Sequence, residues 1–268
     1  MRNILQFIHR WWFWFFLALI GGGYLLFVLA ILASSVAYTS FGDLLDAMNS
    51  PEIRFAAMLS FTTCTISALL SVLVAVPTGY LLSRKRLPGK SLIEAALDIP
   101  IFLPPMVIGL CLLIFFQTDF GGKIEDKTVA FTYTVYGVVL AQWVIGAAFA
   151  IRTMRGTFQH LSARPEEVAQ TLGCSEFGAF WHVALPSAGR GMVSAGTIAW
   201  ARSLGEFGPI LVFAGATRMR TEVLPTTVWL ELSVGNLEAA VAVSVLLVAM
   251  AFAVLALVRW MGGGEEAL

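Results

Sequence analysis

The chain has 268 residues, of which 58% are hydrophobic and only 13% charged, with 17 Lys and Arg against 17 Asp and Glu. Soluble domains carry about 25% charged residues. This composition therefore excludes an ordinary cytosolic enzyme, a disordered chain and a nucleic-acid binder that works by neutralising phosphates. An all-α polytopic membrane protein embedded in a lipid bilayer remains, and the informative question is where its few charges sit.

A membrane helix needs about 20 mostly apolar residues. The first uncharged run covers residues 11–38, behind Arg2 and Arg10, and opens with Trp11, Trp12 and Trp14, an interfacial aromatic cluster. Ser35-Val36-Ala37 imitates a signal-cleavage site. The run is too long for a signal h-region, so a retained span is expected. The second run covers 55–83. The third, 99–118, contains Pro100, Pro104 and Pro105. Pro104 and Pro105 lie deep enough to predict a kinked or broken helix, which either lines a cavity or simply bends. The fourth run covers 128–151 and the sixth 239–258. The fifth, 191–217, is interrupted by Arg202 and Glu206.

Six spans place both termini on one side. The N-terminus, the 84–90 loop, residues 152–190 and Arg259 carry eleven Lys and Arg residues, against five on the opposite side. Positive residues favour the cytoplasm, so both termini are expected there. The segment 152–190 becomes the longest cytoplasmic loop, and long connections are often functional. The organisation expected is 1–54 as tail, first span and external loop, 55–260 as a five-span core, and 261–268 as a short tail.

The loop reads Arg164-Pro165-Glu166-Glu167-Val168-Ala169-Gln170-Thr171-Leu172-Gly173. Pro165 suits a first helical turn, and Glu166 and Glu167 complement the positive end of a helix dipole. Val168, Ala169 and Leu172 make one apolar face, and Gly173 suits a left-handed C′ position. Ser175 is placed to cap a second helix bearing Phe177, Phe180 and Trp181, which Pro186 should end. So small a unit cannot bury its own apolar face. It lies on the membrane interface or docks on a partner, and the residues alone leave both open.

Glu167-Val168-Ala169, three residues, Gly173, nine residues, then Val183-Ala184-Leu185-Pro186 resembles the EAA loop of ABC-importer permeases, with Val168 and Val183 as mild departures. Two further stretches look like those of molybdate, tungstate and sulfate permeases. One is Asp98-Ile99-Pro100 followed by Leu103-Pro104-Pro105-Met106-Val107-Ile108-Gly109, and the other is Ala201-Arg202-Ser203-Leu204-Gly205-Glu206-Phe207-Gly208. The opening of the last run, Gly235-Asn236-Leu237-Glu238-Ala239-Ala240, is also similar. The resemblance implies a type I importer permease fold and a coupling loop carrying Glu166, Glu167, Val168, Ala169, Gly173, Phe180, Leu185 and Pro186. Its implied partners are a cytoplasmic ABC ATPase dimer that holds ATP and Mg, a second, identical permease copy in a homodimer, and an extracytoplasmic oxyanion-binding protein, and its implied location is a bacterial cell (inner) membrane.

Arg202 and Glu206 are the two charges well inside a run. Counted from Gly191, Arg202 lies about 16 Å deep at 1.5 Å per residue. A bare charge there costs about 2.5–3.5 kcal/mol on insertion scales. Spacing of i, i+4 lets the two pair on one helix face. They line a pathway or gate together with Gly205, Gly208, Pro104 and Pro105, or they only fix helix packing. Three Cys and three His at wide spacing form no disulfide framework or metal site. There is no GxxxxGK[ST] for ATP, so no cofactor is expected on this chain and no catalytic residue is identified. A proton-coupled anion carrier using Glu206 is the rival reading, and it leaves the loop unexplained.

Overall fold

Prolines and small residues decide where the helices of this chain begin, break and meet. The computed structural model describes residues 2–261; Met1 and 262–268, the bulk of the expected tail, lie outside the described residues. Every regular element among the described residues is helical. The first three are α1 (Arg2–Tyr38), α2 (Phe41–Asn49) and α3 (Pro51–Arg84). Ser50 caps α3, its hydroxyl accepting from the Ile53 N–H at 3.5 Å, and Pro51 fills a first-turn position that needs no donor.

Next come α4 (Lys90–Phe102) and α5 (Pro105–Gln117), which meet at 109°. The break expected at Pro104 and Pro105 is therefore present. Two consecutive residues without an N–H cannot continue the helical ladder. Each residue before a proline is also driven out of the α region, and Leu103 (ψ 142°) and Pro104 (ψ 130°) are both extended.

After α6 (Asp119–Lys127) comes α7 (Val135–His160). The run 128–151 is thus helical only from Val135. Residues 128–134 are held in a turn by Glu125, whose carboxylate accepts from the N–H groups of Phe131 and Thr132, both at 2.7 Å. Burial pushes the Glu125 carboxyl up, but these donors and the Thr132 hydroxyl outweigh it and hold it below the ordinary value. At its other end α7 continues through Arg152 and Arg155 into the expected loop, because a charge ends an apolar run without breaking backbone hydrogen bonds.

The loop then forms α8 (Arg164–Thr171), α9 (Glu176–Ala179), a π-helical turn at Phe180–Ala184, and α10 (Leu185–Ser187). Pro186 does not end this segment as expected. The Leu185 N–H reaches back to the Phe180 carbonyl, and this one-residue widening accommodates a proline inside the helical path. The chain continues as α11 (Gly189–Leu204), a second π turn at Ile210–Ala214, α12 (Leu224–Ser233) and α13 (Leu237–Met261). Among the described residues four helices are long and apolar enough to cross a membrane, and the bent pair α4–α5, counted as one span, makes a fifth. The expected fifth run, 191–217, is not a continuous helix; α11 has 16 residues and stops at Leu204. All six apolar runs lie on helices, two of them broken.

The core forms where α3, α7 and α11 meet along small residues, including Ala68, Ala75, Ala150, Ala195 and Ala199. Without a hydrophobic force between helices in lipid, close backbone approach supplies the packing. At Gly79 of α3 a β-carbon would lie 2.8 Å from the Arg155 nitrogen of α7, so only glycine lets these backbones touch. A second cluster joins α5, α7 and the second π turn through Phe116, Val138, Ile210 and Phe213. A third joins α2, α3, α12 and α13 through Ala47, Ala56, Leu224 and Val243.

Candidate functional site

The 152–190 loop is a built structure. Gly173 has φ 94°, the left-handed conformation expected after α8. The Cys174 N–H bonds the Ala169 carbonyl and the Gly173 N–H bonds the Gln170 carbonyl, both at 3.0 Å, which completes a Schellman motif. Ser175 caps α9, accepting from the Gly178 N–H at 3.1 Å. These two devices fix the angle between α8 and α9.

The loop's acidic pair divides. Glu166 is buried, and its carboxylate faces α3: Arg84 donates to Oε1 through Nη2 at 2.8 Å and Nε at 3.1 Å, and the Tyr80 hydroxyl donates to Oε2 at 2.7 Å. Tyr80 also lies 4.6 Å from Phe180, ring centroid to centroid. Phe180 and Leu185 therefore pack inward against the core. Glu167, Val168 and Pro186 are exposed, and Ala169 is half-buried. Beside Val168, the outward surface carries Leu172, 83% exposed, and Phe177 and Trp181, whose rings stack at 6.2 Å. Sequence reasoning missed Tyr80 and Arg84, because one lay in an apolar run and the other in a basic run already assigned to orientation.

At the other candidate position α11 ends at Leu204, so Glu206 lies beyond the helix and not on its face. The Glu206 N–H turns back to the Ser203 carbonyl at 3.2 Å, and the side chain still pairs with Arg202. Glu206 is buried at 1% exposure while Arg202 is about one-third exposed, with its guanidinium carbon 5.8 Å from the Phe149 ring centroid. Beneath the pair runs a neutral polar stripe. The Ser67 and Ser203 hydroxyls meet at 3.1 Å, Ser71 donates to the Ser67 carbonyl, and the Gln142 amide donates to the Ser203 carbonyl at 3.3 Å. The Gln142 oxygen is buried without a hydrogen-bond partner. Uncharged Ser and Gln left no mark on the hydropathy pattern, so this stripe was not legible.

The structure also joins the two breaks. A β-carbon on Gly208 would meet Met106 Cγ at 2.9 Å, and one on Gly109 would meet Pro209 Cα at 2.8 Å. The first turns of α5, after Pro104 and Pro105, thus nest against the segment that follows α11. Pro104, Pro105 and Gly205 are exposed. Among the described residues no His, Cys, Asp and Glu cluster is fit to hold a metal ion.

A bundle of long apolar helices with two nested breaks and an outward-facing apolar hairpin at one end is the architecture of a multi-pass membrane protein. Residues 69–262 match the family described as binding-protein-dependent transport system inner membrane component, and the chain belongs to that family. It is 32% identical over 227 residues to the molybdate/tungstate transport system permease protein of Thermococcus kodakarensis, covering 84% of this chain and 85% of that one. It is 35% identical over 206 residues to the molybdenum transport system permease protein of Mycobacterium tuberculosis, covering 76% and 78%. It is 27% identical over 227 residues to the sulfate transport system permease protein of Escherichia coli, covering 84% and 82%. A chain of a bacterial alginate ABC transporter, crystallised with an alginate pentasaccharide-bound periplasmic protein, shares the fold with a TM-score of 0.74. It covers 92% of this chain and 93% of that one at 14% identity.

Proposed function

We propose that this chain is the permease subunit of an ATP-driven importer for a tetrahedral oxyanion, molybdate first, with tungstate and sulfate as the neighbouring substrates. The observation that carries the reading is the exposed apolar face of the 152–190 hairpin. Val168, Leu172, Phe177 and Trp181 stand outside a structure whose inward groups are already packed. Grouped exposed apolar side chains beside charged neighbours mark an interaction surface. The surface fits a cytoplasmic ATPase, which would bind ATP and Mg while this chain performs no chemistry. The named relatives support the oxyanion class.

In this scheme two permease copies enclose a path, and an extracytoplasmic binding protein delivers the anion. Nucleotide-driven closure of the ATPases displaces the two hairpins. The nested breaks at Pro104 and Gly208 then rearrange around the Arg202–Glu206 pair to open the path outward, with both termini on the cytoplasmic side. A proton-coupled carrier acting through Glu206 would leave the hairpin surface without a role. Reconstitution with the partner ATPase and binding protein tests the proposal. ATP hydrolysis stimulated by molybdate above tungstate and sulfate supports it. Uptake that needs no ATPase and collapses with an uncoupler would overturn it.

A further inference from the structure

Arg84 sits in a basic run, and orienting the chain requires only its charge. Its geometry does more. The side chain is 14% exposed and its donors are divided among three places. Two reach Glu166 Oε1 at the start of α8. Nη1 reaches the Phe158 carbonyl at 2.7 Å and Nη2 the Leu161 carbonyl at 3.1 Å, both at the C-terminal end of α7. The last carbonyls of a helix have no partner within it, so Arg84 serves as the side-chain cap of α7 as well as the counter-ion of Glu166.

Tyr80 lies one turn back on the same face of α3. Its hydroxyl holds the second oxygen of Glu166, and its ring meets Phe158 edge-on at 5.3 Å. Next to it, Gly79 allows α3 and α7 to touch backbone to backbone. The two helices are therefore one body at this end, and Glu166 ties α8 to that body through both carboxylate oxygens. Phe180 and Leu185, further along the hairpin, pack into the same body by apolar contact, but α8 itself is tied by the Glu166 carboxylate. The Lys85–Glu176 pair at 3.0 Å is exposed on both sides, and such pairs contribute little.

We infer that Arg84 is the positioning residue through which a displacement of α8 reaches α3 and α7 together. This rests on the reading of 152–190 as the coupling loop. The planar guanidinium is what the joint requires, because its fixed fork of donors spans a carboxylate and two carbonyls at once. A lysine ammonium can neutralise Glu166 but is a point donor, so α8 could tilt without carrying α7 with it.

The test uses the full complex of permease, ATPase and binding protein in nanodiscs, with Arg84→Lys and Tyr80→Phe compared to wild type. ATPase retained on the permease, basal hydrolysis and molybdate-stimulated hydrolysis are measured on the same samples. Arg84→Lys should retain the ATPase and basal hydrolysis while stimulation falls by about 5- to 150-fold, the range of a coupling free energy between linked sites. Tyr80→Phe should reduce stimulation less, since Arg84 remains. Stimulation at the wild-type level in Arg84→Lys would overturn the inference. So would a loss that merely follows loss of bound ATPase or of permease from the membrane, because that is a folding role. A wild-type complex stimulated by none of molybdate, tungstate and sulfate would instead refute the functional reading.

Discussion

Leu172 offers the sharpest separation between folding and docking. It is 83% exposed at the end of α8, one residue before the left-handed Gly173. Leu172→Ala removes a side chain that is largely exposed, so the stability of the isolated subunit should stay within about 0.5 kcal/mol of wild type. If the ATPase covers this side chain, burial of a leucine contributes about 1.5–3 kcal/mol. Alanine keeps one methyl, so most of that is lost at each hairpin. At about 1.4 kcal/mol per factor of ten, the affinity for the ATPase should weaken roughly 10- to 100-fold. The assay is titration of permease nanodiscs with the purified ATPase, alongside the thermal midpoint of the permease alone. Unchanged affinity would refute the docking surface and favour a hairpin resting on lipid. A lowered midpoint would show that Leu172 is packed within the permease.

Other outcomes follow from the same geometry. Gly173→Val should cost about 1–2 kcal/mol, because a residue with a β-carbon is forced into the left-handed region; uptake should fall with the protein still in the membrane. Arg202→Gln leaves Glu206 buried without its cation, a loss of about 3–5 kcal/mol for a fully buried pair and less here because Arg202 is one-third exposed. Uptake should drop at normal abundance, and the double variant Arg202→Gln with Glu206→Gln should regain stability without regaining uptake; unchanged uptake in the single variant would refute the pathway role. Glu222, in the 217–223 connection outside the long spans, is fully buried with neither carboxylate oxygen hydrogen-bonded. Burial raises its carboxyl above the ordinary value against the nearby Thr227 hydroxyl and the pull of Arg218, with Glu231 and Glu52 pushing the same way as burial. A raised acid favours the folded state below the ordinary carboxylate range and loses that contribution as pH rises through the raised value. Glu222→Gln should therefore flatten the high-pH side of a thermal-midpoint profile, and an unaltered profile would refute the raised Glu222 carboxyl.

The first, second, fourth and sixth spans, the break at Pro104 and Pro105, and the Gly173 turn were legible because each rests on a local rule: run length, a missing donor, or a positive φ. The end of α7 was not legible, because Arg152 and Arg155 mark the edge of an apolar run and say nothing about backbone bonding. Pro186 misled for a related reason, since the widening at Phe180–Ala184 that tolerates it has no sequence signature. In the hairpin, sequence paired Glu166 with Glu167 as neighbours, whereas tertiary packing assigns one to Arg84 and leaves the other exposed. The Ser67, Gln142 and Ser203 stripe is assembled from three helices, and no spacing along one chain segment encodes it.

The nested breaks have an electrostatic consequence for an anion on the proposed path. A helix start carries about half a positive charge and a helix end about half a negative one. Here the start of α5 and the segment following the end of α11 abut at Met106 and Gly208, so these partial charges oppose each other across a few residues. Arg202 and Glu206 add one charge of each sign. Helix starts ordinarily bind phosphate-like anions through their free N–H groups, but Pro104 and Pro105 have no N–H to offer. On the proposed path, a doubly charged oxyanion at this level would meet a polar region whose charges sum to about zero. It would find no fixed anion trap there, and tight binding would fall to the binding protein of the proposed scheme.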